Sequence, residues 1–333
     1  MSGSQSPARW KIWTAFAAVY LLWGSTYLAM RFAVATLPPF LMAATRFLTA
    51  GGALYLWERI RGTPKPGVLL WKTTAISGAL LLFTGNGGVV WAVQYVPSGL
   101  TAVLVAMVPL WMVVLQWLWQ KRSQPDSRTM LGIFIGITGI AVLVGPERLM
   151  GSGAVDPVGM VVLVLASLSW AAGSLYSTHS RIKASPLLAN GMQMLCGGFL
   201  LLMLGLLAGE WQQLNFEHVS LQSALALAYL IVFGSLIGFT AYLWLLRVTT
   251  PARASTYAFV NPVVAVILGW AIGGEPLTAR ALTATLMIVA AVVAIVLSRQ
   301  AAQLPSPERG AVVSKTTARP VPAKPEKVCP DAC

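Results

Sequence analysis

Arg46 is a cation set inside an apolar run, and Asn86 and Asn261 are amides set inside two others. Polar side chains in such runs need a partner, a wet cavity or a ligand. Six aromatic residues with apolar faces and polar edges, Trp23, Tyr27, Trp91, Trp170, Tyr242 and Tyr257, accompany them. These suit an amphipathic or aromatic cargo, or serve as packing and as an interfacial belt. The chemistry on offer is recognition. The apolar runs hold no nucleophile beside a base, no paired carboxylates and no metal-ligand spacing, so no catalytic residue, metal or cofactor is expected.

Each candidate has a structural reading beside the functional one. Arg46 is an anchor for a carboxylate or phosphate, or a donor to carbonyls where a neighbouring helix is broken, or a side chain snorkelling to the outer face. Asn86, within "TGNGG", is a ligand or one end of an interhelical hydrogen bond. Pro109 and Pro262 remove backbone donors inside apolar runs and are candidate helix-break or gating points, or packing kinks. Asn261, next to Pro262, can both donate and accept and is the favoured polar ligand there.

The elements that must position these residues follow from composition. Of 333 residues 57% are hydrophobic and 10% charged, against about 25% charged in a soluble domain. The mean hydropathy is +0.73. Apolar runs lie at 12–30, 40–57, 73–93, 98–119, 129–145, 157–177, 187–208, 222–246, 252–273 and 279–297. Most approach the roughly 20 residues that cross a bilayer as an α-helix, and strand-like alternation is absent. The fold class expected is an all-α polytopic membrane protein with ten transmembrane helices. The first run follows Arg9 and Lys11 as a signal peptide would, but it is too long, and another apolar run follows it in place of a cleavage site.

The net charge of +13 has a topological explanation and requires no nucleic acid. With ten spans and a cytoplasmic N-terminus, 19 of the 23 Lys and Arg fall on the inner side, three on the outer side, and Arg46 within a helix. This asymmetry puts both termini in the cytoplasm. From Ser298 onward the chain is rich in Pro, Lys, Arg, Ala and Thr, which predicts a disordered basic tail over 298–333. Cys329 and Cys333 lie in it, without the His ligands a metal site needs, and a cytoplasmic place argues against a disulfide.

The chain also repeats itself. Trp23 and Pro39 recur as Trp170 and Pro186, and Trp91 and Pro109 recur as Trp244 and Pro262. The same alignment sets Arg46 opposite Gln193 and Gly85 opposite Gly238. A duplicated unit with five spans enters its second copy facing the other way, which makes an inverted repeat. The organisation expected is a cytoplasmic N-terminus at 1–11, a first repeat at 12–148, a second at 157–297 and the tail.

"LLWGSTYLAMRFAV", "RFLTAGG", "GNGGVVWAVQYVPSGLTAVLVAMVP", "GSLIGFTAYLWLLR" and "ASTYAFVNPVVAVILGWAIGGEPLT", in this order and spacing, resemble the EamA-type permeases of the drug/metabolite transporter superfamily, among them the YedA-type inner-membrane group. The resemblance covers residues 10 to 298. It implies two inverted five-helix EamA repeats in the inner membrane, a central cavity lined by helices 1, 3, 4, 6, 8 and 9, and export of small organic metabolites. One departure is the "QKRSQPDS" after helix 4, where the family often has an acid matching Glu275. The expected partners are a small-molecule substrate and the lipid bilayer; a homodimer is compatible with the sequence. A passive channel and a membrane scaffold or enzyme subunit are the competing readings. Both histidines and Glu275 lie at helix boundaries, which leaves facilitated diffusion, exchange and proton coupling open.

Overall fold

A computed structural model of the protein describes residues 8–120, 127–144, 156–179, 184–249 and 257–302. The tail beyond Ala302, with Cys329 and Cys333, lies outside the described residues. Backbone polar groups in lipid must bond within their own segment, and the described residues form helices and no strands.

Among the described residues the longer helices group into ten rods, with two short helices, Glu210–Gln213 and Phe216–His218, between the seventh and the eighth. They are α1 (Arg9–Ala33), α2 (Pro39–Ile60), α3 (Val68–Gly78, Ala79–Asn86 and Gly87–Ala92), α4 (Ser98–Val105 and Val108–Gln120) and α5 (Ser127–Val144). The second set is α6 (Pro157–His179), α7 (Pro186–Leu207), α8 (Leu221–Tyr229, Leu230–Ile237 and Gly238–Val248), α9 (Tyr257–Ala271) and α10 (Ala279–Ala302). Six of them, α1, α3, α4, α6, α7 and α8, are long and apolar enough to cross a membrane; Met130–Gly139, Val260–Ala271 and Ala279–Ala291 are shorter apolar stretches. The tenth rod continues past Ser298, where the sequence predicts the tail to begin.

The repeated prolines have a local role. Pro39 and Pro186 are the first residues of α2 and α7, where the missing N–H is lost at no cost. The breaks expected at the second proline pair are unequal. α4 is interrupted at Ala106–Met107, just before Pro109, whereas α9 runs unbroken through Pro262. Helix α2 also extends beyond its apolar run and takes in Glu58, a buried carboxylate that accepts a hydrogen bond from the Thr63 hydroxyl.

The two halves interleave. Helix α1 packs on α8 and α9 of the second half, and α6 packs on α3 and α4 of the first; α2 lies against α7 and α5 against α10. Small residues permit the close approaches. A Cβ on Gly51 would lie 2.7 Å from the Met194 Cβ and 2.8 Å from the Gly191 carbonyl, and one on Gly139 would lie 2.9 Å from Ile288. A single large core, including Phe47, Met30, Leu104, Met194 and Leu201, joins both halves.

Candidate functional site

The middle of α3 (Ala79–Asn86) and the middle of α8 (Leu230–Ile237) are both wound as π-helix. The repeat makes these two helices counterparts. A π segment widens the helix and offsets its backbone hydrogen bonds, and such segments gather at functional sites. In each half, a side chain from the helix packed alongside reaches a carbonyl in the π segment. The Trp23 indole N–H donates to the Gly234 carbonyl at 3.1 Å, and the Ser169 hydroxyl donates to the Leu80 carbonyl at 2.8 Å.

Glycine makes room for these contacts. A Cβ on Gly238 would sit 2.5 Å from the Trp23 indole nitrogen, and one on Gly85 would sit 3.2 Å from the Trp170 ring. Gly238 and Gly85 are matched by the repeat, as are Trp23 and Trp170, so each half sets a glycine against a tryptophan, while the hydrogen bond to the π segment comes from Trp23 in one case and from Ser169 in the other.

Around the π segment of α8 the structure gathers four of the candidates, Trp23, Arg46, Tyr242 and Tyr257. Trp23 lies 5.2 Å from Tyr242, 5.0 Å from Tyr257 and 5.2 Å from Phe239, measured between ring centroids. Tyr242 and Tyr257 stand edge to face at 5.6 Å. Ser25 and Tyr229 share a hydroxyl hydrogen bond of 2.7 Å between α1 and α8. Arg46 reaches over from α2 and donates from Nε to the Ser235 hydroxyl at 2.9 Å. Its repeat partner, Gln193 on α7, donates to the Ser77 hydroxyl on α3, also at 2.9 Å. Matched positions on α2 and α7 thus hold a serine in or beside each π segment, one with a charge and one without.

The other candidates are distributed differently. Asn261 is buried, its amide nitrogen 3.3 Å from the carbonyls of Tyr257 and Tyr20, so it links α9 to α1. Asn86 ends the π segment of α3, and its amide oxygen is buried with no hydrogen-bond partner. Trp170 packs on the core beside that segment, and Tyr27 packs on the same core from α1. Trp91 pairs with Tyr95 at 4.9 Å near the end of α3. Pro109 follows the break in α4, and Pro262 adjoins Asn261 in α9.

The π segments, Ser235, the Ser25–Tyr229 pair and buried Asn190 escaped the sequence reading. The available signal was the close spacing of Gly234, Ser235 and Gly238 within an otherwise apolar stretch. Buried carboxylates were also missed as structural parts. Glu210 accepts the backbone N–H groups of Phe40 and Leu41 at 3.2 and 2.8 Å, capping α2.

Two interleaved helical repeats with matched irregular segments define a duplicated multi-pass membrane protein. The sequence pattern of the EamA-like transporter family matches residues 9–145 and again 157–297. The chain belongs to the EamA-like transporter family. It is 39% identical over 286 residues to the uncharacterized inner membrane transporter YedA of Escherichia coli strain K12, across 86% of this chain and 90% of that one. It is 26% identical to the protein PecM of Dickeya dadantii over 277 residues, covering 82% and 88% of the two chains. A crystal structure of another protein, 19% identical, shares the fold with a TM-score of 0.59 over 87% of this chain and 98% of that one.

Proposed function

We propose that this protein is a secondary transporter that exports small organic metabolites, amino acids or amphipathic aromatic compounds, across a bacterial inner membrane by alternating access. Both termini face the cytoplasm in this reading. The observation that carries it is the pair of π segments in α3 and α8, each opposed by a polar side chain from a helix alongside. Irregular backbone at corresponding places in the two halves is the arrangement by which transporters with inverted repeats build a site between them. The two halves then exchange roles as the site opens to one side and the other. The similarity to YedA, an inner membrane transporter, supports the location. The cationic asymmetry of the loops supports the orientation.

Aromatic faces at Trp23, Tyr242 and Tyr257 with polar groups at Arg46, Ser25 and Ser235 favour a cargo with both an apolar body and a polar end. The test is counterflow in proteoliposomes loaded with amino acids, aromatic acids or amphipathic amines. A carrier accelerates uptake of labelled solute when the same solute is trapped inside, and uptake saturates. Passage that neither saturates nor responds to trapped solute would mark a passive pore.

A further inference from the structure

Arg46 is 4% exposed and lies about 10 Å along α2 from Pro39, at 1.5 Å per residue. Its Nε is bonded to the Ser235 hydroxyl, while its Nη1 is buried with no hydrogen-bond partner. The guanidinium occupies a slot opened by Gly234. A Cβ at that glycine would stand 3.2 Å from Nη2 and 3.0 Å from the Thr26 methyl. The Phe47 ring lies 4.9 Å from the guanidinium carbon.

The buried carboxylates among the described residues are committed elsewhere. The Gly234 carbonyl accepts the Trp23 indole, and the hydrogen bond Arg46 makes goes to the Ser235 hydroxyl and not to a backbone carbonyl of the irregular helix. Glu210 caps α2, Glu275 pairs with Arg31, and Glu58 accepts from Thr63. Among the described residues, no carboxylate is ion-paired with Arg46. A guanidinium does not shed its proton, and a buried charge without a counter-charge is strongly unfavourable. A cation held this way, with one bond fixing its direction and a donor left over, is a site awaiting an anion.

We infer that Arg46 binds an anionic oxygen group of the transported molecule, a carboxylate or a phosphoryl group, through Nη1 at the π segment of α8. The inference rests on the proposed transport function for its purpose, but the binding can be measured without transport. Gln193 at the matched position carries no charge, so the anion is read by the first half alone.

The experiment is thermal unfolding of the purified full chain in detergent with matched pairs of probes. These are acetate and acetamide, 3-phenylpropionate and 3-phenylpropanamide, and L-phenylalanine and L-phenylalaninamide; inorganic phosphate forms a separate arm. A ligand that binds only the folded state raises its unfolding temperature. The expected result is stabilisation by an acid at a concentration at least about tenfold below that required of its amide. Response to phosphate alone assigns the phosphoryl group, and response to carboxylates alone assigns the carboxylate. In R46Q the unliganded protein should unfold no lower than the wild type, and the preference for acid should vanish. Should R46Q not accumulate, R46K should weaken the preference. Equal stabilisation by acid and amide, no stabilisation by any acid or phosphate, or a full preference retained in R46Q or R46K would overturn the inference. Absence of counterflow for every solute would instead overturn the export function and leave the anion site standing.

Discussion

Arg31, near the end of α1, is ion-paired with Glu275, which follows α9. The same carboxylate accepts the backbone N–H groups of Ser98 and Gly99 at 2.7 and 3.1 Å, at the start of α4. One side chain therefore fastens three helices at the face of the bundle away from the N-terminus. Glu210 does related work at the start of α2.

The two parts of this clasp should be unequal. The Arg31 side chain is 41% exposed, and an ion pair at such a position is worth about 0–1 kcal/mol. Unpairing buried backbone donors costs about 1–3 kcal/mol. E275A is therefore expected to lower stability more than R31Q, measured by thermal unfolding of both variants in the same detergent. Equal losses would show that the ion pair, and not the cap, holds the helices.

Gly51 and Gly52 are neighbours in α2 with opposite surroundings. A Cβ on Gly51 meets α7 at 2.7 Å, whereas one on Gly52 meets nothing within 4 Å. G51A should cost about 1–3 kcal/mol through overpacking. G52A should be neutral, or stabilising by up to about 1 kcal/mol through helix propensity. Chemical unfolding of the two variants tests this, and a destabilised G52A beside an unaffected G51A would refute the packing of α2 on α7.

Replacing Trp23 by Phe keeps an aromatic ring beside Tyr242 and Tyr257 but removes the donor to the Gly234 carbonyl. Leaving that acceptor unpaired should cost about 1–3 kcal/mol. Counterflow should fall with stability if the π segment is part of the moving site. A variant as stable and active as the wild type would show that the carbonyl finds another partner.

Pro262 is buried in α9 beside Asn261 and cannot bond back to the Ala258 carbonyl. P262A restores a donor and should stiffen the helix. Counterflow should drop by about tenfold, about 1.4 kcal/mol in the barrier, with expression nearly unchanged. Loss of folded protein at unchanged specific activity would instead make the proline a packing element.

Much of the fold was legible because its signals are local. Apolar runs of bilayer length identify helices without any knowledge of their partners, and Pro39 and Pro186 mark two helix starts for a reason contained within one turn. The candidate site was legible in part. Arg46, Trp23, Tyr242 and Tyr257 stand out as polar or amphipathic groups in apolar runs, and the structure brings them to one place. Asn261 stands out equally, yet its amide lies between two backbone carbonyls. Trp91 stands out as well and pairs with Tyr95 near a helix end.

The sequence by itself determined the class, the helices and the duplication, because hydrophobic length, proline geometry and repeated spacing are properties of the chain read along its own axis. Only the tertiary structure decided where helices α3 and α8 depart from regular winding, that Trp23 takes the Gly234 carbonyl, and that Arg46 finds Ser235 and, among the described residues, no carboxylate in an ion pair. Those outcomes depend on which helix faces which. The interleaving of the halves brings residues about 200 positions apart within hydrogen-bond reach, and in lipid a buried polar group must be met by whatever that packing brings beside it.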